Sequence, residues 1–453
     1  MPPKVASLRD SGKFGRRVTA RPAIVRPATL KELRAVMSAG SPYLAPFRPS
    51  GAMSASTDCA LASAGTVVDM TAFDQIVNID AYNDVATVQA GVRLGKLAAA
   101  LSEQGLELAG SHDLMSRTVG GAVAGGCVGA ALAGDGAFFA SQILSVKAVT
   151  PNGRQLEITP DKANLLNAFR LSYGMLGIIY EVSLKVRPVR PFSVSHRRCT
   201  IRQFSAAAEK LCRTDIGIKF YLLPFRDRVY LDLRRYSPTT TSTHRVPWKI
   251  KDWGESTVLP QVFKSLNRIV PMAGVRYRLI DEISRMTQGI VNNRLVSSGS
   301  NATAGAGKSE HDGQQLQYST WMFPAADFSI VVQAYQEFCI RVLKESGFRC
   351  DMPTMGYRLC HDQSALLSPS FDEPMFALCA VSTQAEGWEN FVIDFGDFAQ
   401  HWGGLPFFNQ TRSLLPDYAN VVFGSRLDFF RRIRRRLDPE NRMMNPFLSQ
   451  YFL

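Results

Sequence analysis

Two stretches of the chain carry almost no side-chain bulk. Residues 117–136, RTVGGAVAGGCVGAALAGDG, hold seven glycines and five alanines, and residues 47–59 read FRPSGAMSASTDC. A backbone this bare lets main-chain N–H groups approach a flat or anionic ligand, and it permits positive φ values. The two stretches lie about 65 residues apart in one α/β-like block. They are therefore candidates for the two sides of a pyrophosphate site.

Two common nucleotide motifs do not fit the glycine-rich stretch. A Walker loop needs Lys and then Ser or Thr after Gly126, but Cys127 and Val128 stand there. A dinucleotide fingerprint needs an apolar strand directly before the glycines. The preceding segment GSHDLMSRT is polar and does not form such a strand. On composition alone, ligand binding and tight structural packing remain equally open for this stretch.

Composition limits the class of protein. The chain has 453 residues, 46% of them hydrophobic, which suits two domains with substantial cores. A net charge of +13 is compatible with nucleic acid, an anionic membrane or an acidic ligand, and proves none of them. No apolar run is long enough for a membrane span, and no signal peptide is evident. The eight cysteines lack metal-ligand spacing. We therefore expect a cytoplasmic protein with reduced thiols, no metal, no membrane span and no nucleic-acid partner.

The elements that must position the bare stretches fall into two blocks. In the first, Leu94, Leu97, Ala98 and Leu101 share one helix face, and the pair Asn152-Gly153 predicts a hairpin. The second predicts paired strands over 219–237, a polar loop over 296–316, a strand over 317–324 and a long helix that ends at Gly347. The arginine-rich tail predicts a docked helix that breaks at Asp438-Pro439, since an apolar stripe runs beside its basic face.

Five passages, in sequence order, resemble the PCMH-type FAD-binding domain of the vanillyl-alcohol oxidase and p-cresol methylhydroxylase superfamily. The branch they resemble most is that of the sugar-lactone and alditol oxidases. RPSGAMSAST resembles its pyrophosphate loop, and TVGGAVAGGCVGA resembles its glycine loop. The others are the passage from VVDMT to LELAG, LSYGMLGIIYEVSLKVRP, and RRRLDPENRMMNPF near the C-terminus.

This resemblance implies an α+β fold in two domains. An FAD-binding domain would span 1–190, with a C-terminal return over 426–453. A substrate cap over 191–425 would consist of an antiparallel sheet flanked by helices. FAD would lie between the two domains.

The resemblance also implies which residues hold FAD. Residues 50–55 and 118–129 would hold the pyrophosphate and the flavin, and 177–179 would flank the adenine side. The complete set is Arg48, Ser50, Gly51, Ala52, Met53, Ser54, Ala55, Ser111, Thr118, Val119, Gly120, Gly121, Gly125, Cys127, Gly129, Gly177, Ile178, Ile179 and Asn445.

One of these positions departs from the family pattern, and another has two possible roles. Ser54 stands where many relatives have the histidine that tethers FAD, so no histidyl link is expected there. Cys127 would lie close to the reactive edge of the flavin. A small buried core residue is the equally open alternative for Cys127.

The cap departs further from the sugar-lactone branch. GGLPFFNQT (403–411) resembles the motif G-G-x-P-H-W-G-K, and its His and Lys become Phe407 and Gln410. The resemblance assigns Arg358 to the negative charge that develops on the substrate, and Asn409 and Gln410 to its orientation. Asp362 or Tyr318 is the candidate base. The extra aromatic residues predict a substrate less sugar-like than in the branch, such as an aromatic or polyketide-like alcohol.

The predicted function is an FAD-dependent oxidoreductase that moves a hydride between a substrate carbon and flavin N5. Molecular oxygen or another acceptor would take up the electrons. A C=C reductase or an epimerase of the same fold remains an alternative. A non-catalytic flavoprotein is a further alternative, and a nucleic-acid binder, resting on charge alone, is a weaker one.

Overall fold

A computed structural model describes residues 22–109, 115–129, 134–236, 258–289, 295–298, 316–384, 386–412 and 414–453. A small parallel sheet with strand order β1-β3-β2 opens the described chain. Strand β2 leads directly into the predicted pyrophosphate loop. The first elements are β1 (Ala23–Val25), α1 (Leu30–Met37), β2 (Phe47–Ser50) and β3 (Thr66–Asp69).

A second sheet has six strands, which pair antiparallel in the order β4-β5-β9-β7-β8, with β6 paired to β9. Its strands are β4 (Ile76–Asp80), β5 (Val85–Gln89), β6 (Leu106–Leu108), β7 (Ile143–Val149), β8 (Gln155–Ile158) and β9 (Ile178–Pro188). Its helices are α2 (Leu94–Glu103), α3 (Val119–Ala124) and α4 (Ala163–Phe169). Leu94, Leu97 and Leu101 of α2 are fully buried, as their spacing predicts.

A third, antiparallel sheet of eight strands follows in the order β13-β10-β12-β11-β15-β16-β14-β17. Its strands are β10 (Pro191–Cys199), β11 (Gly217–Leu223), β12 (Arg228–Tyr236), β13 (Leu295–Ser298), β14 (Gln317–Pro324), β15 (Thr354–Leu359), β16 (Met375–Ser382) and β17 (Leu405–Pro406). Its helices are α5 (Ile201–Cys212), α6 (Leu259–Ile269), α7 (Ala273–Gly289), α8 (Phe328–Ser346) and α9 (Trp388–His401).

The two faces of this eight-stranded sheet differ in what covers them. Phe220 and Phe376 pack against Phe204 of α5 and Phe328 of α8, and they define the helix face. Side chains alternate along a strand, so the neighbouring positions point the other way. The residues that define this second face include Tyr318, Thr320, Tyr357 and Cys379.

The C-terminal segment returns to the first block. Its helices are α10 (Tyr418–Phe423), α11 (Ser425–Leu437) and α12 (Pro446–Phe452). Nη1 of Arg442 donates to the carbonyl of Met37 at 3.0 Å, and the main-chain carbonyl of Arg442 accepts from the N–H of Phe47 at 2.7 Å. Leu427 and Phe430 of α11 are fully buried, which agrees with a docked helix that has an apolar stripe.

Two sequence expectations meet a different structure. The segment NLLNAFRLSYG (164–174) predicts a helix that Gly174 would end, but α4 ends at Phe169, because Leu171 and Tyr173 adopt positive φ values of 54° and 50°. At the predicted loop 296–316, the backbone forms β13 up to Ser298, and 299–315 lie outside the described residues. Across the parts of the chain that the structure covers, no helix has the length and apolarity to cross a membrane.

Candidate functional site

A cleft of about 870 Å³ runs along the first block up to a residue of the predicted cap. Its walls come from β2 and the loop that follows it, from α3, from the turn before β9 and from the segment after β17. The predicted residues that line it are Arg48, Ser50, Gly51, Ala52, Met53, Ser54, Ala55, Thr118, Gly120, Gly121, Gly125, Gly177, Ile179 and Asn409. The structure thus brings the two bare stretches to one cleft.

Arg48 holds the back wall of the cleft together. Its side chain is 1% exposed, and its guanidinium donates only to main-chain carbonyls in the hydrogen bonds it makes. The acceptors are the carbonyls of Cys59 at 2.9 Å, Gly174 at 3.1 Å, Met443 at 2.6 Å and Tyr173. Burial lowers the pKa of Arg48 to about 10, so the group stays charged at neutral pH. Three distant segments therefore meet on one cation.

Close backbone approach explains the bareness of the two loops. A Cβ on Gly51 would lie 2.1 Å from Oγ1 of Thr118, so a side chain at 51 would push the loops apart. Thr118 caps α3 and accepts from the N–H of Gly121 at 3.4 Å. A Cβ on Gly121 would meet the same Oγ1 at 3.0 Å and otherwise point into open space. Both loops thus present backbone to the cleft.

The carbonyl of Gly126 is the point where the glycine loop meets the cap. It accepts from Nη1 of Arg117 at 2.9 Å and from Nδ2 of Asn409 at 3.4 Å. Gly126 has a φ of 75°, and a Cβ there would lie 2.2 Å from Cζ of Phe407. Oδ1 of Asn409 is buried and has no hydrogen-bond partner within the described chain. A bare cradle beside an unpaired buried polar atom fits a bound planar, polar ligand such as FAD.

Several predicted cofactor residues do not line the cleft. Val119 and Ile178 are fully buried core residues, because their side chains point away from it. Cys127 is likewise a fully buried core residue, which matches the alternative stated for it. Gly129 is buried outside the cleft lining, and Ser111 lies outside the described residues.

Asn445 acts from behind the loop that follows β2. Its Nδ2 donates to the carbonyls of Asp58 at 2.8 Å, Cys59 at 3.3 Å and Leu61 at 2.7 Å. Its Oδ1 accepts from the N–H of Leu448 at 2.9 Å and caps α12. These contacts support the chain that forms the cleft, and Asn445 does not itself line the cleft.

The structure corrects the position predicted for Arg358. Arg358 shares the helix face of β15 with Gly356, whose Cβ would lie 2.0 Å from Phe220. Its Nη1 donates to the carbonyls of Cys212 at 3.0 Å and of Thr214, at the end of α5. These acceptors fix the guanidinium at a helix terminus, and it does not line the cleft.

Asp362 is also corrected, because its carboxylate is occupied by structural hydrogen bonds. It accepts from the N–H groups of Ala137 and Ser364, both at 2.8 Å, and from the hydroxyl of Ser141. It joins the segment after the glycine loop to the cap and does not line the cleft.

Tyr318 lies on the second face of the eight-stranded sheet, and the side chain of Gln410 packs against that face through Thr320. Oε1 of Gln410 accepts from the hydroxyl of Thr320 at 2.7 Å. Burial raises the pKa of the Tyr318 hydroxyl, so it is a neutral phenol at neutral pH and a poor base. Trp321, three positions after Tyr318 on the same strand, is fully buried and packs in the core against Tyr418.

The two phenylalanines of the cap motif play different parts. Phe407 packs beside Phe138 at a ring distance of 6.2 Å and against Gly126. Phe408 lies in a core cluster with Tyr173 and Phe452. Of the two rings, Phe407 therefore packs on the glycine loop, whereas Phe408 belongs to the core.

Sequence reasoning missed Arg117, which lines the cleft. Its signal was a cation directly before the TVGG motif. Within the residues that the structure covers, no cluster of three or more His, Cys, Asp or Glu side chains has a metal-binding arrangement.

Comparison with known proteins agrees with this geometry. Residues 22–159 match the family described as FAD binding domain. L-gulono-1,4-lactone dehydrogenase of Mycobacterium tuberculosis is 27% identical over 217 residues, which cover 47% of this chain and 49% of that protein. L-galactono-1,4-lactone dehydrogenase 1, mitochondrial, of Oryza sativa subsp. japonica is 31% identical over 166 residues, 36% of this chain and 27% of that one. The chain thus matches about half or less of these relatives.

Two solved structures share the fold over nearly the whole chain. Cholesterol oxidase from B. sterolicum aligns with a TM-score of 0.74 at 15% identity, and the alignment covers 95% of this chain and 94% of the cholesterol oxidase chain. Xylooligosaccharide oxidase from Myceliophthora thermophila C1, in complex with xylobiose, aligns with a TM-score of 0.71 at 14% identity, and the alignment covers 99% of this chain and 96% of the oxidase chain. The chain thus carries an FAD binding domain over residues 22–159, with FAD as its cofactor, this domain resembles that of the lactone dehydrogenases, and nearly the whole chain has the fold of these two oxidases.

Proposed function

We propose that the chain is an FAD-dependent oxidoreductase that transfers a hydride between a substrate carbon and flavin N5. The observation that carries this proposal is the cleft in which two bare loops of the FAD-binding block meet Asn409 of the cap. Bound FAD supplies the hydride chemistry, whereas the protein supplies position, polarity and access.

The chain's own residues divide this work between binding and access. Loops 50–55 and 118–125 would hold FAD through their exposed backbone, since side chains at Gly51 or Gly121 would fill the space. The unpaired Oδ1 of Asn409 would orient a polar group in the cleft. Phe407 packs on the glycine loop and would keep water from that end.

We further propose that FAD is bound without a histidyl link, because Ser54 lines the cleft at the position of the tethering histidine. Acid precipitation of the purified protein, followed by spectra of pellet and supernatant, tests this. We expect all the yellow colour in the supernatant. Colour in the pellet would contradict a non-covalent cofactor, and a protein that takes up no FAD would end the proposed function.

The substrate we propose is an alcohol with apolar or aromatic character. Phe407 and Gln410 replace the His and Lys of the sugar-lactone motif, and Gln410 is engaged with Thr320. Anaerobic mixing of the FAD-loaded protein with a panel of alcohols, alditols and sugar lactones tests this by loss of flavin colour. Faster bleaching by aromatic or aliphatic alcohols supports the proposal, whereas preference for sugar lactones contradicts it.

The direction of transfer has its own experiment. Photoreduced protein is mixed without oxygen with an activated alkene and, separately, with molecular oxygen. The proposed alcohol oxidation predicts rapid return of the colour with oxygen or another acceptor and none with the alkene. Return with the alkene alone would instead indicate a C=C reductase.

A further inference from the structure

Arg117 is a buried cation on the wall of the cleft. Its side chain is 5% exposed, and it directly precedes Thr118, the cap of α3. Nothing in the hydride transfer proposed above has used this side chain. Its surroundings therefore need an explanation of their own.

The guanidinium of Arg117 is only partly satisfied by the protein. Nη1 donates to the Gly126 carbonyl, and Nε has no hydrogen-bond partner. No ion pair formed among the described residues includes Arg117. Burying a charge without a counter-charge is costly, so the position implies an anion that the described residues do not supply.

A second arginine near the cleft provides a contrast. Arg412 donates to the Ser56 carbonyl at 2.7 Å and lies 3.5 Å from the Glu389 carboxylate. Its side chain is 27% exposed. Arg412 thus has both solvent and an acidic partner. Arg117 is almost shielded from solvent and has no acidic partner among the residues that the structure describes, although both arginines lie beside the same group of loops.

Arg117 lies at the end of the cleft where the cap begins. The carbonyl that it binds also accepts from Asn409 of the cap. Its positive charge acts on two groups of the second face, since it opposes the rise that burial causes in the pKa of Tyr318 and of Cys379. The reactive ring of FAD must meet its substrate at this junction between the domains. With FAD in the cleft, its ring rather than its pyrophosphate would therefore face Arg117.

We propose that Arg117 supplies the positive charge that stabilises the isoalloxazine ring when it is reduced. The inference rests on the proposed function, because it requires FAD in this cleft. A hydride brings two electrons and one proton, so its transfer breaks the substrate C–H bond and leaves the ring with one additional negative charge. The proton of the substrate hydroxyl leaves to water. A preorganised cation facing that charge favours the reduced form.

The test uses the FAD-loaded protein with no substrate. Arg117→Gln removes the charge at similar size, Arg117→Lys keeps it, and Arg412→Gln is the matched control. The midpoint potential of each is measured by equilibration with a reference dye, and FAD content is measured by absorbance. We expect Arg117→Gln to lower the equilibrium constant for two-electron reduction about tenfold, which is about 30 mV. We expect Arg117→Lys and Arg412→Gln to stay within about threefold of the wild type, that is, within about 15 mV.

The wild-type protein gives a second measurement that needs no variant to fold. If the reduced ring is held as an anion, it takes up one proton for two electrons. The midpoint potential then falls by about 30 mV per pH unit, the value of a tenfold change for a two-electron couple. We expect this slope over pH values from about 5.5 to 8. A slope twice as steep over this range would mean that the charge is neutralised, and the inference would be wrong.

Failure of the inference is distinguishable from failure of the proposed function. A wild-type protein that binds no FAD overturns both. FAD bound at full occupancy, with an unchanged potential in Arg117→Gln, overturns the inference alone. If that variant instead raises only the KM for substrate, the anion belongs to the substrate. If the midpoint potential fell equally in Arg117→Lys, the shape of the side chain rather than its charge would matter, and this result would also overturn the inference.

Discussion

At the scale of single residues, the glycines show what spacing can and cannot predict. The sequence predicts a bare backbone near a ligand, and the structure places Gly51, Gly120 and Gly121 at the cleft. The positive φ values expected in the stretch fall on Gly126, Gly134 and Gly136, whereas Gly120 and Gly121 lie in helix α3. Which glycine needs its conformation and which needs its missing Cβ depends on tertiary neighbours, which the sequence does not display.

Gly121 offers the sharpest test of the cleft. A side chain on Gly120 would strike Cβ of Ala90 at 2.9 Å and threaten the fold, but on Gly121 it would enter open space beside Thr118. We expect Gly121→Val to fold and to lose FAD, because its side chain occupies the cofactor's place. The amount of flavin retained after gel filtration measures FAD binding, and unfolding in urea shows whether the variant is folded.

Gly40→Val is the matched control for that variant. Gly40 is exposed, and a Cβ there meets nothing within 4 Å. Its FAD content should equal that of the wild type. Full FAD occupancy in Gly121→Val would show that the cofactor does not lie along α3.

At the scale of elements, the strand that carries Arg358 was predictable, but its face was not. Alternation has a period of two, so one residue of register decides between the helix face and the second face. The sequence motif fixed the identity of the arginine. The packing of Gly356 against Phe220 fixes the face, and it depends on a distant strand.

Arg358 should therefore matter for stability rather than for flavin reduction. It donates to the last carbonyls of α5, where a cation is favourable. Loss of such hydrogen bonds costs about 1.5–3 kcal/mol. We expect Arg358→Ala to lower the free energy of unfolding in urea by this amount, with flavin reduction by substrate unchanged. The exposed Arg202 on the same helix is the control, and Arg202→Ala should cost less than about 0.5 kcal/mol. A hundredfold slower reduction in Arg358→Ala would return this residue to the substrate site.

A cluster of charges joins β6, β9 and β12. Nε of Arg187 on β9 lies 2.9 Å from the Glu107 carboxylate, and its Nη1 binds Asp135. The hydroxyl of Tyr236 on β12 donates to Asp135 at 3.0 Å. Burial raises the pKa of Glu107, and Arg187 opposes that rise. Arg187 thus offsets part of the cost of burying the Glu107 carboxylate where the two sheets meet.

We expect Arg187→Met to make the free energy of unfolding depend on pH, because the Glu107 carboxylate loses its cation. Removing one partner of a buried pair costs about 3–5 kcal/mol, and the 14% exposure of Arg187 favours the lower end. Without the cation, the pKa of Glu107 in the folded state rises further above its unfolded value. Stability of the variant is then greatest at low pH and is lost as pH rises through that pKa. We expect the deficit in urea unfolding to be larger at pH 8 than at pH 5. Lys147→Met, which breaks the more exposed pair with Glu181, should cost less than about 1 kcal/mol at both. A deficit independent of pH would show that Glu107 does not titrate with the fold.

At the scale of the whole molecule, the order of motifs predicted that the C-terminus returns to the FAD-binding block. It did not reveal how. Arg442 binds the chain after α1, Met443 accepts from Arg48, and Asn445 holds the turn after the loop that follows β2. These contacts join residues almost 400 positions apart, and local pattern carries no information on them. The cleft is therefore a property of the complete chain.

Asn445→Ala tests that dependence. The change leaves the carbonyls of Asp58, Cys59 and Leu61 without their shared donor and uncaps α12. Loss of the cap costs about 0.5–2 kcal/mol, and an unsatisfied buried group costs about 1–3 kcal/mol. Because the turn supports the cleft, we expect a less ordered turn to bind FAD more weakly, so a given concentration of FAD stabilises the variant less than it stabilises the wild type. Unfolding in urea, with FAD absent and at one fixed concentration well above both Kd values, should show a gain from FAD that is smaller in the variant by about 1 kcal/mol, the equivalent of fivefold weaker binding. Titration should give a Kd for FAD at least fivefold above the wild type. Asn83→Ala, at an exposed turn where the amide binds Asp80, should change neither quantity. An unchanged FAD affinity in Asn445→Ala would mean that the C-terminal segment stabilises the fold without shaping the cofactor site.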